Sequence, residues 1–125
     1  MGQNENRTDN PEEEDNFDDI ENSIVFEDAP KKILFPEFTS NYQNNCKTIA
    51  ASIVVKSLKM AAGFAAHDRS VWRQTKALSG LQSIYSIRVG INHRLMILWE
   101  KDIRLEVLDL IPREQLEKWI KGFRR

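Results

Sequence analysis

The chain has 125 residues, 41% of them hydrophobic and 30% charged, enough for one domain around one core but not for two. Its single cysteine excludes an internal disulfide, the two histidines beside it give no metal-ligand spacing, and no run of about 18 apolar residues exists to span a bilayer. The net charge of −1 hides a division: residues 1–30 hold eleven acids against Arg7, net −10, and residues 31–125 hold 17 Lys or Arg against 8 acids, net +9. A basic body of that size points to a polyanionic partner.

Residues 1–30 read as an acidic leader and 31–125 as the folded body. Residues 1–23 are rich in Asn, Asp and Glu, bury too little surface to offset chain entropy, and are expected to be disordered. Phe17, Ile20, Ile24, Val25 and Phe26 interrupt the acids, either as docking residues or as scattered apolar positions in a solubilising leader. The acidic start lacks the basic and apolar regions of a secretory signal, so a cytoplasmic protein without a membrane partner is expected.

Lys32 to Phe35, just before Pro36, fits a short edge strand. Thr39 or Ser40 then caps a helix in which Phe38, Tyr42, Cys46, Ile49, Ile53 and Leu58 recur mostly at three- and four-residue spacing and form a core face. Gly63 weakens or ends that helix, and Phe64 to His67 reads as a turn or a short second helix. His67-Asp68-Arg69 belongs near a surface loop. Val71 to Leu78 has no decisive period; Trp72 is expected to pack while Arg73 and Lys76 stay hydrated.

Residues 85–107 change to period two. Tyr85, Ile87 and Val89 share one strand face with Arg88 on the other, and Gly90 to His93 is a connection. Leu95, Ile97 and Trp99 repeat the alternation, Lys101-Asp102 turns the chain, and Ile103, Leu105 and Val107 repeat it with Arg104 and Glu106 outward. This is a three-stranded antiparallel meander whose second face is cationic or simply solvated. Pro112 suits the first turn of a last helix, where Leu116, Trp119, Ile120 and Phe123 form a stripe that covers the sheet or a partner. No glycine-rich phosphate loop or nucleophile elbow is present, so a nucleotide cofactor has no support.

The segment L-S-G-L-Q-S-I-Y-S-I-R-V-G-I-N-H-R-L-M-I-L-W, Leu78 to Trp99, resembles the central signature of RelE/ParE-superfamily toxins, a Leu-Gly element followed by an R-x-G strand and a basic residue opening the next strand. Asp109-Leu110-Ile111-Pro112-Arg113 is similar to the last strand and terminal basic region of the RelE/HigB branch. The resemblance spans roughly residues 31–125. It implies an α+β fold with helices packed on a curved antiparallel sheet, and a toxin held by a cognate antitoxin in a hetero-oligomer. In the RelE branch it implies metal-independent endoribonuclease activity, without cofactor, on messenger RNA at the ribosome; in the ParE branch it implies gyrase inhibition. Arg88 matches the R-x-G arginine, Arg94 the basic residue of the following strand, and Arg113 the one after the last strand; Lys76 falls in the preceding basic segment. The family's C-terminal tyrosine has no counterpart, since neither Tyr42 nor Tyr85 follows Arg113.

Metal-free RNA cleavage needs the ribose 2′-hydroxyl activated, the phosphorane's negative charge stabilised and the departing oxygen protonated. Arginine suits the second task, since its planar donors stay charged and bridge phosphate oxygens, which assigns it to Arg88 and Arg113. Histidine exchanges protons near neutral pH, making His93 the acid–base candidate against a plain turn residue. Lys76, Arg73 and Arg94 are the substrate-binding candidates, with solvation, or for Arg94 an antitoxin salt bridge, as the alternative. A non-catalytic nucleic-acid-binding regulator, its acidic leader serving as a competing internal anion, fits the same residues.

Overall fold

The computed structural model describes residues 20–23 and 32–124. The described elements are β1 (Glu21–Ser23), β2 (Glu37–Phe38), α1 (Ser40–Cys46), α2 (Ala51–Ala65), α3 (Arg69–Trp72), β3 (Thr75–Leu78), β4 (Ile84–Val89), β5 (His93–Glu100), β6 (Arg104–Pro112), a 3-10 turn (Arg113–Gln115) and α4 (Leu116–Arg124). They build a six-stranded sheet in the order β1-β3-β4-β5-β6-β2, antiparallel throughout except for the β2–β6 pair. The fold is α+β, with helices packed on a mostly antiparallel sheet.

The expected meander is β4-β5-β6, joined by tight turns whose left-handed residues are Gly90 (φ 64°) and Asp102 (φ 64°), types that tolerate that conformation. The preceding segment without a clear period contributes a further strand, β3, paired antiparallel to β4. The edge strand falls later than expected. Residues 33–36 form no strand; Glu37 and Phe38, beyond Pro36, pair with Glu106 and Val107 instead. Proline lacks the donor a ladder needs, so pairing begins only after it.

Thr39 does cap a helix: its hydroxyl accepts from the Tyr42 amide (3.1 Å) and donates to the Leu108 carbonyl (2.7 Å), pinning α1 to β6. The single helix expected from the 38–58 spacing is two, broken at Lys47–Ala50. That break resets the phase, so Leu58 is 43% exposed whereas Ser57, Ala61 and Phe64 are buried. Gly63 does not end α2 either. It lies inside the helix, where an added Cβ would stand 2.6 Å from Val71 Cγ2, and is there because α3 crosses closely. The helix stops at His67 (φ 65°), with the Asp68 amide bonding back to the Gly63 carbonyl (2.9 Å). Asp68 caps α3 in turn through the Ser70 amide (2.9 Å).

The sheet is covered on both faces. One carries the main core, in which Phe64, Val71 and Trp72 pack on Ile87, Val89, Leu95, Ile97 and Val107. Phe64 meets Trp99 edge-on (centroids 5.2 Å apart, 87°). The other face carries a second apolar cluster, Leu78, Ile84, Met96 and Ile111 beneath Leu116 and Ile120 of α4. An open face, cationic or simply solvated, was the expectation, and α4 overturns it: the stripe on this helix covers the centre of that face, leaving Phe123 41% exposed. The loss of alternation in β5, buried continuously from Arg94 to Ile97, follows from this double coverage.

The leader also departs from expectation in part. Ile20 packs against the second cluster and Glu21–Ser23 joins the sheet as β1, so these residues are ordered. Phe17, Ile24, Val25 and Phe26 lie outside the described residues.

Candidate functional site

Antiparallel pairing brings the start of one strand to the end of its neighbour. Thr75 pairs with Ile87, Val89 with His93, and His93 with Pro112, so the start of β3, the end of β4, the start of β5 and the end of β6 share one end of the sheet. Five candidates gather there. Arg73 sits in the turn before β3, next to Gln74, whose carbonyl accepts the Arg88 amide (3.2 Å). Arg88 and Arg94 are direct cross-strand partners. His93 opens β5, and Arg113 follows β6, its amide bound to the Asn92 carbonyl (2.7 Å) in the β4–β5 turn. Lys76 lies further along, opposite Ser86, with Nζ 3.3 Å from Ser23 Oγ.

Strand alternation divides this group. Arg88 and Arg94 project from the face opposite Ile87 and Val89, together with Lys76 and Ser86, while His93 alternates to the other face. The sequence set His93 beside Arg94, and their adjacency along one strand is what separates the two side chains.

Exposure differs as well. Arg73 is exposed, and Arg88, His93, Arg113 and Lys76 are half-buried. Arg94 is 5% exposed and already paired: its Nε donates to Glu21 Oε2 at 3.1 Å and its Nη1 to the His93 carbonyl at 3.1 Å. Ser86 Oγ donates to the same Glu21 oxygen. Glu21 and Ser23 therefore lie on the face of Lys76, Ser86 and Arg94, and one leader carboxylate occupies a position lined by the Arg94 guanidinium and the Ser86 hydroxyl. Sequence reasoning did not find Glu21 or Ser86. The former was one acid among eleven, and the latter became visible only through register.

A groove of about 550 Å³ lies between α1, β6 and α4, lined in part by Asn41, Asn45, Asp109, Lys118, Trp119 and Phe123, and none of the six basic candidates lines it. On its floor the buried Asp109 carboxylate accepts from Asn45 Nδ2, the Leu110 amide (2.9 Å) and Trp119 Nε1 (3.0 Å), tying α1 and α4 to β6. These bonds make Asp109 structural. Burial pushes the Tyr42 hydroxyl up to about 12; it shares a 2.6 Å hydrogen bond with Ser57 away from the basic end. Among the described residues no three His, Cys, Asp or Glu side chains group as metal ligands, and no helix is long and apolar enough to cross a membrane.

No protein-family model matches the chain, and no curated protein matches it. Among solved structures, the chain is similar in fold to a chain of the crystal structure of the RelB–RelE antitoxin–toxin complex from Methanococcus jannaschii. The TM-score is 0.53 at 17% identity, covering 66% of this chain and 96% of that one.

Proposed function

We propose that this protein is the toxin of a toxin–antitoxin pair and cleaves messenger RNA without a metal, at the ribosome in the cytoplasm. The observation that carries the reading is the strand register that gathers Arg73, Arg88, His93, Arg94 and Arg113 at one end of the sheet. The fold shared with a chain of an antitoxin–toxin complex supports it, as does the +9 charge of residues 31–125.

In this reading Arg88 and Arg113 hold the scissile phosphate and stabilise the dianionic phosphorane, where paired guanidinium donors are worth most. Arg73 and Lys76 track the flanking phosphates. A base takes the 2′-hydroxyl proton, O2′ bonds to phosphorus, and the P–O5′ bond breaks with a proton delivered to the departing oxygen, leaving a 2′,3′-cyclic phosphate and a 5′-hydroxyl. His93, at the same end of the sheet but on its opposite face, is the candidate for the proton transfer. The partner is an antitoxin whose acidic or apolar segment covers the basic end.

Purified protein mixed with ribosome-bound messenger RNA tests this. Arg88→Ala should fold normally and cut roughly ten- to a thousandfold more slowly, the scale for losing a positioned charge at a transition state. Arg88→Lys should recover only part, since an ammonium lacks the planar fork. Full activity in a natively stable Arg88→Ala variant removes Arg88 from the site, and full activity in His93→Ala removes the histidine. RNA bound but uncut by wild type favours a non-catalytic regulator.

A further inference from the structure

Arg94 belongs to the basic end of the sheet, yet it is 5% exposed, and its ion-pair partner comes from the acidic leader. We propose that β1 is an intramolecular plug: the Glu21 carboxylate occupies the position of an RNA phosphate on Arg94 and Ser86, and β1 must leave β3 before a polyanion can engage Arg94. This inference rests on the RNA-binding reading above and adds its regulation.

The geometry is that of a bound anion. Glu21 Oε2 takes the Arg94 Nε donor at 3.1 Å and the Ser86 hydroxyl, a charged donor and a neutral one converging on a single oxygen, as they would on a phosphoryl oxygen. Arg88 stands directly across the strand pair from Arg94, so an anion there would share the site with the proposed transition-state arginine. Glu21 and RNA therefore compete for one position.

The strand is built to be removable. It is three residues long and lies at the sheet edge, with Asn22 and Ser23 exposed. Apart from the Glu21 bonds to Arg94 and Ser86, which an RNA phosphate would replace, its hold on the body among the described residues is the pairing to β3, the Ser79 amide on the Ile20 carbonyl (2.8 Å), Asn22 Nδ2 on Ser79 Oγ (2.7 Å), the Lys76–Ser23 contact, and Ile20 against the second cluster. Short edge elements with few buried contacts open at low free energy without unfolding the core. The leader carries net −10 in sequence, so its tethered charge raises the effective concentration of the competing anion and repels RNA while β1 is docked.

The test uses the full chain and a fluorescent unstructured single-stranded RNA, with affinity read by anisotropy and β1 docking read by hydrogen exchange at the Ser79 amide. Because apparent affinity scales with the fraction of open molecules, Glu21→Gln should bind about ten- to a hundredfold more tightly, with faster Ser79 exchange. The double variant Asn22→Cys/Ala77→Cys, at directly paired positions, should bind at least about tenfold more weakly when oxidised than when reduced, because the disulfide holds β1 in place. RNA added to wild type should speed Ser79 exchange. Equal affinities for wild type, Glu21→Gln and both redox forms would overturn the plug while leaving RNA binding standing. No RNA binding by any form, with Ser79 exchanging freely in Glu21→Gln, would overturn the RNA reading and the plug together.

Discussion

Asp109 is the polar joint that fixes α4 over the second face of the sheet, and its replacement by alanine has a cost that follows from its partners. The carboxylate accepts from the Leu110 amide, Trp119 Nε1 and Asn45 Nδ2, from a residue 7% exposed. Leu110 is 1% exposed, so in Asp109→Ala its amide loses this acceptor where water has little access, costing about 1–3 kcal/mol. Trp119 and Asn45 are only half-buried and can turn to solvent, so each loss is about 1 kcal/mol or less. Relief from desolvating a carboxylate offsets part of the sum, leaving about 3 kcal/mol, or a melting drop of roughly 15 °C for a domain of this size. Asp109→Asn keeps Oδ1 as the acceptor for Leu110 and Asn45 but turns a donor toward Trp119 Nε1, and should cost about half as much. Urea unfolding monitored by tryptophan fluorescence measures both. An alanine variant within about 0.5 kcal/mol of wild type, or an asparagine variant as damaging as alanine, would refute the joint.

Gly63→Ala should destabilise by about 1–2 kcal/mol, because overpacking against Val71 outweighs the gain of about 1 kcal/mol in helix propensity; a more stable variant in urea would mean that α3 shifts freely. Leu58→Ala should cost less than about 1 kcal/mol and Phe64→Ala about 3–5 kcal/mol; equal costs in thermal melts would restore the single-helix phase. The Tyr42 hydroxyl stays protonated in the folded state up to about 12 against 10.0 for the ordinary group, so the unfolded chain loses that proton first as pH rises. Its contribution is intact below pH 10 and declines between about 10 and 12; Tyr42→Phe should flatten that part of the melting-versus-pH curve, and an unchanged slope would assign it to other groups.

The alternation over residues 85–107 was legible because period two depends only on backbone geometry, and Tyr85-Ile87-Val89 and Leu95-Ile97 do face the main core, whereas Ile103, expected beside Leu105 and Val107, is 71% exposed in the turn before β6. Met96 and Ile111 point the other way into the second cluster, and nothing local announces a second buried face until α4 is seen to cover it. The helical break at Lys47–Ala50 was hidden because Ile49 and Ile53 keep an apolar spacing across it. Arg88 was found in a strand position and Arg94 and Arg113 through the resemblance, but their shared end of the sheet appears only with the strand register. The partner of Arg94 was not legible: Glu21 lies 73 residues away and gains meaning only when β1 pairs with β3.

RNA cleavage at the basic end of the sheet can be read by mapping RNA 5′ ends in cells after induction of wild type or Arg88→Ala, at matched protein levels. Wild type should arrest growth with new 5′-hydroxyl ends inside messenger RNAs, and Arg88→Ala should lose those ends almost completely. Growth arrest with intact messenger RNA and damaged DNA would contradict it and place the protein with gyrase inhibitors.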